Sequence, residues 1–538
     1  MGLKRTIKTP ALMCTAIGGM LGSGWLFGPF LSAQIAGPAS IISWAIGGIL
    51  MMFIAFCFAE LSSTFPVAGG MARFAQLSHG TLVGFTIAWV SYLAAVIVSP
   101  MEAMAAVQYA ANYFPEIANH TNHGIELTKI GIIISISLML IFCYFNTLGA
   151  KFVAKSNMAL VIFKFVVPVA TIIILFSSSH HIGNFTHFGG FAPYGLKGIL
   201  TALPAAGIIF SFIGYGPAVQ LAQEAKNPKK AIPTAIIGAL IISIILYIII
   251  EIAFIGAVNP HDLAHGWKHL SFKGDYGPIA GIIGGLGLMW FVKIIYFDAF
   301  VSPCGTGYIY TAATSRINYA MSKNGYFPEQ LLKLNKKGIP YLAIIMNFCI
   351  GIIFFLPFPG WQQMINFLVS CFVIAYTIAP ITTLALRKHK PEMKRPFKVP
   401  SATIFCTISF IICNFILYWS GWDVIWKMLL TIAIGYVFLA IYRACSKKEH
   451  QPLGFKSFWW MIPYLIGLGI ISYCGSFGGG HNYIPFGWDA AIIAGFSVII
   501  LYLSQKCSYI TESFDEIHQE AISTQKSNNK DKNKYNNK

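Results

Sequence analysis

Apolar runs of about twenty residues, the length that crosses a bilayer as a helix, follow one another along almost the whole chain, separated by short polar connectors. The pattern predicts about fourteen spans, at 10–34, 38–62, 81–111, 128–148, 156–178, 197–222, 231–257, 278–314, 340–357, 362–386, 401–420, 424–443, 457–477 and 487–507. The last stretch closes on KSNNKDKNKYNNK. A tract that polar has no core to bury, so 508–538 is expected to be a disordered tail.

Composition supports the pattern. Of 538 residues, 56% are hydrophobic and 10% charged, against about 25% charged in a soluble domain. The expectation is an all-α polytopic membrane protein. A net charge of +18 raises the question of nucleic acid, but the distribution answers it. Lysines and arginines gather on alternate connectors, such as Lys226, Lys229 and Lys230, or Arg387, Lys388 and Lys390, with no basic stripe of interleaved aromatics. With the N-terminus inside, inner segments hold 30 of the 37 basic residues and outer loops hold four, which predicts two cytoplasmic termini. The 11 cysteines are scattered without a C-x-x-C pair, so neither a disulfide framework nor a zinc site is indicated. The first apolar run leads into a second span and not into a small-residue cleavage site, so no cleavable signal peptide is expected.

Two spans break the rule of uninterrupted helix. The first reads IGGMLGSGWLFGP, with Gly22, Ser23 and Gly24 at its middle. Glycine in a helix interior costs roughly 1 kcal/mol relative to alanine. The sixth reads IIFSFIGYGPAVQLAQEAKNP, with Gly214, Tyr215, Gly216 and Pro217 in mid-run. Glycines also let helices pack closely, and Gly18 and Gly22 fit that spacing. Interruptions at corresponding places in two halves point instead to the midplane site of a transporter. A half-helix that starts at Gly24 offers free N–H groups and a positive dipole end to a carboxylate. A half-helix that stops before each break offers carbonyls to an ammonium. Together they suit an α-amino acid.

These stretches, with AELSSTFPVAGGMARFAQLSHG, FSFIGYGPAVQLAQEAKNPKKAIP and SRINYAMSKNGYFP, resemble the amino acid–polyamine–organocation superfamily of permeases. With fourteen spans and the stretch DAFVSPCGTG, the chain looks most like the bacterial aspartate:proton symporter group. The resemblance implies a 5+5 inverted-repeat (LeuT-like) core over 1–390 with discontinuous helices one and six. About four additional helices would follow over 391–507, in the bacterial cytoplasmic membrane. It implies a carboxylate-binding turn at Gly22, Ser23 and Gly24. Amine-binding carbonyls would lie near Ile17, Phe210, Ser211 and Ile213, with the Phe210 ring closing over substrate. The side-chain pocket is expected along FIGYGPAV, at Gly214, Tyr215 and Gly216, and many relatives carry other polar or acidic residues where this chain has Tyr215, Gly216 and Pro217.

Charges inside spans are the remaining candidates. Lys164 lies about 12 Å into the fifth span at 1.5 Å per residue, too deep for its stem to reach the interface, and it is the first candidate for proton coupling. The resemblance agrees, since proton-coupled members carry a lysine on helix five. The competing reading is a permanently charged lysine bridging helix-one carbonyls. Asp298 and Lys293, five residues apart, do not share a helical face, so each needs its own partner. Glu102 follows Pro100 and is placed to line the cavity. Glu60, Glu224 and Glu251 fall near span ends, where solvation is expected, as it is for His180, His181 and His187 in an outer loop. The expected activity is secondary transport of an amino acid with protons, aspartate or another acidic amino acid first. Exchange, or a neutral or cationic substrate, is the alternative. No cofactor or metal is expected, and no nucleophile–base set points to an enzyme.

Overall fold

The computed structural model describes residues 5, 7–121, 124–148, 150–178, 181–272, 274, 276–358, 360–446 and 451–522. Helices dominate. Ten of those described are long and apolar enough to cross a membrane, or eleven when one bent pair counts as a span. In chain order the helices used below are α1 (Thr9–Met20), α2 (Gly24–Ala36), α3 (Ser40–Thr64) and α4 (Gly80–Ala110). Then come α5 (Lys129–Asn146), α6 (Ala150–Ser178), α7 (Gly195–Ala205), α8 (Ile208–Ile213), α9 (Gly216–Gln220) and α10 (Pro228–Ala257). After these follow α11 (Met289–Lys323), α12 (Tyr341–Ile353), α13 (Trp361–Tyr376) and α14 (Ile378–His389). A last set, α15 (Ala402–Trp419), α16 (Trp422–Cys445), α17 (Met461–Cys474) and α18 (Trp488–Cys507), ends the run.

A short antiparallel hairpin departs from the all-helical expectation: β1 (Ala118–Thr121) pairs with β2 (Gly124–Leu127). Its segment is too polar to continue α4 and too short for another helix. Gln363 Nε2 donates to Glu126 Oε1 at 2.9 Å, tying the hairpin to the start of α13. At the far end of the chain, residues 513–522 are helical. Phe514 and Ile517 are buried there, and Glu520 pairs with Arg73 at 2.7 Å and Lys323 at 2.8 Å. The expected tail is thus described as far as residue 522.

Packing sorts the helices into two groups. α10 lies along α1 and α3, while α4 lies along α11 and α13. The two interrupted spans cross where these groups meet. α1 stops at Met20, with the Leu21 N–H donating to Ile17 O at 2.8 Å, and helix resumes at Gly24. The sixth span bends by 50° between α7 and α8, through Gly207 at φ +78°, and breaks again at Gly214 and Tyr215 before α9. At the crossing, backbone meets backbone. A Cβ placed on Gly214 would run into the Gly19 carbonyl carbon and the Met20 nitrogen, and one on Gly19 into Gly214 O. Close packing and interruption, two competing readings of these glycines, are both realised here.

The acids near span ends are buried and not solvated, which corrects the expectation for Glu60, Glu224 and Glu251. Glu60 accepts from Arg387 Nε at 2.9 Å, Arg387 Nη2 at 2.8 Å and the Val399 N–H at 2.7 Å. Glu224 accepts from Arg316 Nε at 3.0 Å. The connectors and helix ends that carry the positive charge bring an arginine to each of these two acids, and a paired carboxylate tolerates burial. Glu251 has no such cation and is treated separately below.

The crossing yields a stability prediction. Gly214→Val places atoms inside the Gly19 backbone, and overpacking of this kind costs about 1–3 kcal/mol or more. The purified variant is expected to show a clearly lowered thermal midpoint in detergent. A wild-type midpoint would mean the two interrupted helices do not touch.

Candidate functional site

A break inside a membrane helix frees N–H and C=O groups, and each must find a partner in protein or cavity water. Following them locates the site. The Ser23 N–H, at the start of α2, donates to Glu102 Oε2 at 2.9 Å. Glu102 is fully buried on α4, and its other oxygen has no hydrogen-bond partner among the described residues. Gly18 O, in the last turn of α1, accepts from Lys164 Nζ at 2.7 Å and from Thr306 Oγ1 at 2.8 Å. Lys164 Nζ also donates to Thr306 Oγ1 at 2.8 Å. Met20 O accepts from Tyr247 OH at 2.7 Å, and Ile213 O from Tyr376 OH at 3.1 Å.

Glycines let neighbouring side chains close directly on this turn. A Cβ on Gly22 would meet the Glu102 carboxylate and, at 2.8 Å, Thr306 Oγ1. One on Gly24 would meet Ser211 Oγ. Trp361 Nε1 donates to Ser23 Oγ at 2.8 Å, laying an indole from α13 over the turn. A cavity of about 180 Å³ reaches this indole, between Phe27, Phe30, Gln108 and the hairpin residue Ile125. A larger one of about 600 Å³ lies among Asn112, Tyr113, His181, Asp262 and Tyr296, away from the break.

The structure therefore gathers Gly22, Ser23, Gly24, Ser211, Gly214, Glu102 and Lys164 at one crossing. Phe210 is buried on α8, and Ser211 Oγ donates to Gly207 O at 2.9 Å. The Ile17 carbonyl is already engaged by Leu21, and that of Ile213 by Tyr376. Tyr215 is stacked on Tyr376, with ring centroids 5.6 Å apart, and Gly216 lies beside the same hydroxyl. Asp298 is buried and accepts from Ser302 Oγ at 2.9 Å on each oxygen. Two turns along α11 from Thr306, it makes no hydrogen bond to either break among the described residues. Lys293 is exposed on the other face, as the five-residue spacing implies. His181 is partly buried, His187 is exposed as expected, and His180 lies outside the described residues.

Four residues at the crossing escaped the sequence reading: Thr306, Trp361, Tyr247 and Tyr376. For Thr306 a signal existed. Asp298, Ser302 and Thr306 recur every fourth residue, a polar ladder on one face of an otherwise apolar helix. The two tyrosines and the tryptophan sit in apolar runs where aromatic residues are ordinary, and nothing local marks them.

Residues 7–439 match a family model described as amino acid permease. The chain is 40% identical over 515 residues to the glutamate/serine transporter AimA of Bacillus subtilis, covering 95% of each. It is 35% identical over 495 residues to the aspartate-proton symporter of the same organism, covering 91% of this chain and 94% of the relative. With the branched-chain amino acid permease BcaP, also of Bacillus subtilis, identity is 25% over 469 residues, covering 84% and 95%.

Thr306→Val keeps the side-chain volume but removes the hydroxyl that joins Lys164 to Gly18. A buried ammonium left short of a partner costs about 1–3 kcal/mol. Affinity for the transported amino acid is expected to fall about tenfold or more while the protein remains monodisperse, as read by radioligand binding in detergent. Unchanged affinity would place the ligand elsewhere.

Proposed function

Because the chain belongs to the amino acid permease family, whose named relatives are transporters and not enzymes, we propose that it imports an amino acid by proton symport. We place the substrate at the crossing of the two interrupted helices. The observation that carries this reading is the Ser23 N–H held by a side-chain carboxylate, Glu102. A donor at a helix start that already attracts one carboxylate is chemically suited to another, the α-carboxylate of a substrate. The ammonium then lies toward the carbonyls of α1 and α8, and Phe210 closes on it. The frame we propose is the 5+5 inverted repeat over 1–390 with fourteen spans in all. The helices of 391–507 stand outside the core, and both termini lie in the cytoplasm of a bacterial cell.

Lys164 and Glu102 approach the same turn from two different helices, one through Gly18 O and Thr306, the other through Ser23. In the proposed cycle a proton held by this pair, with Asp298 next along α11, favours one access state and its loss favours the other. A shift of one pKa unit between states is worth about 1.4 kcal/mol. The relatives' names, glutamate/serine transporter and aspartate-proton symporter, favour an acidic substrate. Among the described residues no arginine contacts the crossing, so Lys164 is the cation at hand for a second carboxylate. Exchange without a proton gradient, or a neutral or cationic substrate, is the competing reading.

Proteoliposomes decide between them. An inward proton gradient is expected to drive wild-type accumulation of labelled aspartate or glutamate, and unlabelled acidic amino acids to compete best. Lys164→Ala should bind an acidic substrate more weakly and, at saturating substrate, fail to follow the gradient. Lys164→Arg should stall, because guanidinium keeps its proton. Wild type that ignores the gradient but exchanges label is an antiporter, and competition won by lysine or arginine overturns the acidic substrate. Phe210→Ala should slow transport more than it weakens binding, since closure commits the substrate. Equal losses would make Phe210 a pocket wall.

A further inference from the structure

Glu251 lies on α10, fully buried, and no ion pair reaches it among the described residues. Three groups contact its carboxyl, all from two other helices. Ser32 Oγ of α2 is 2.9 Å from Oε1, and Ser40 Oγ of α3 also donates to Oε1. Trp44 Nε1 of α3 donates to Oε2 at 3.1 Å and lies 3.3 Å from Ser32 Oγ. From its own helix, Tyr247 one turn away stacks on Trp44 at 4.6 Å and gives its hydroxyl proton to Met20 O. Among the described residues the neighbouring elements offer no charge to it: Lys164 of α6 is engaged at Gly18, and the loop at 182–185 presents Asn184 to Ile255 O and Val258 O.

Counting hydrogens decides what the carboxyl is. Ser32 has one hydroxyl hydrogen and three oxygens that only accept within reach, Gly28 O at 2.7 Å, Glu251 Oε1 at 2.9 Å and Pro29 O at 3.2 Å. If Glu251 were ionised, that hydrogen could serve Oε1 or the two carbonyls of its own helix but not both, and the contact left over would press oxygen against oxygen with no hydrogen between. An ionised carboxylate would also stand in apolar surroundings without a cation, which is costly. If Oε1 carries a hydrogen, each contact of the carboxyl has one: Oε1–H donates to Ser32, Ser40 donates to Oε1 and Trp44 donates to Oε2, while Ser32 is free to share its own hydrogen between Gly28 O and Pro29 O. A hydroxyl supplies one donor and two lone pairs, which is what this arrangement uses.

We propose that Glu251 is held as the neutral acid, a proton site separate from the Lys164–Glu102 crossing, and that its O–H is the clasp joining α2 to α3 and α10. It is a positioning residue. It fixes the half-helix that begins at Ser23, while Tyr247 of the same helix fixes the end of α1, so α10 holds both sides of the first break.

Infrared difference spectroscopy on the full-length protein in lipid vesicles, wild type minus Glu251→Gln, tests this at neutral pH. The expected result is loss of a protonated-carboxyl C=O band that shifts in heavy water. Loss of carboxylate stretching bands instead would overturn the proposal. Transport gives a second reading. An amide keeps a donor for Ser32 and an acceptor for Trp44, so Glu251→Gln should keep substrate exchange within about twofold, whereas Glu251→Ala, with buried donors unpaired, should lose about tenfold or more. Equal losses in both variants would overturn the clasp. The exchange arm rests on the transporter reading, while the infrared arm does not, so the two fail separately.

Discussion

Everything at the centre of this molecule depends on two polypeptide backbones passing within contact of each other. Gly19 and Gly214 have no room for a side chain, so two helices meet where both have given up their own hydrogen bonds. In a bilayer that arrangement survives only if neighbouring helices supply what was lost. They do so one group at a time. Glu102 of α4 takes the Ser23 N–H, Lys164 of α6 and Thr306 of α11 reach Gly18 O, and Tyr247 of α10 reaches Met20 O. The same requirement that closes the hydrogen-bond inventory of the fold therefore assembles a carboxylate, an ammonium and two hydroxyls around one turn.

The charges divide by how they are satisfied. At the end of the bundle that carries the basic connectors, acids are paired: Glu60 with Arg387 and Arg395, Glu224 with Arg316, Glu520 with Arg73 and Lys323. For Glu520, outside the spans, burial raises the carboxyl's pKa, but the two cations outweigh it and hold it below its ordinary range. Deeper in, pairing gives way to single contacts with backbone. Lys164 bonds carbonyl and hydroxyl, and Glu102 bonds an amide. A charge held by neutral dipoles loses less on changing protonation than one locked in an ion pair. This is the physical reason to place the proposed proton movement at the crossing and not at the arginines.

The sequence made the helices and the two interruptions legible because both rest on composition: apolar runs of membrane length, and glycine and proline where helix should not have them. Gly22, Ser23, Gly24 and Gly214 were readable for that reason, and Lys164 and Glu102 because charge in an apolar run stands out. The partners that complete the crossing come from helices far along the chain. Tyr247, Trp361 and Tyr376 look like ordinary apolar residues until the packing puts their hydroxyls and indole beside a freed backbone group. Distance from a span end also misled. Glu60 and Glu224 sit where solvent was expected, but connectors fold back over them, and no local pattern announces an arginine such as Arg387, 327 residues away.

The same contacts determine where motion is possible. At the basic end, the Ile7 N–H donates to Glu224 O at 3.0 Å and the Lys226 N–H to Ile7 O at 2.8 Å. Arg316 of α11 meets the Glu224 carboxylate, and the Gly69 N–H meets Gln220 O at 3.1 Å. The start of α1, the exit of α9 and α11 are thereby stitched together, while both cavities described lie among residues of the other end, the smaller of them beside the hairpin and Trp361. Opening the stitched end requires α1 and α9 to part from α11. The rest of each span is held: α2 by Ser32 and Glu251, α8 by its packing against α3. The backbone that lies outside helix is Leu21–Ser23 in one span and Gly214–Tyr215 in the other, held by side chains of neighbouring helices. In the proposed transporter these interruptions serve as hinges as well as site, so a ligand seated there touches the parts whose angle changes.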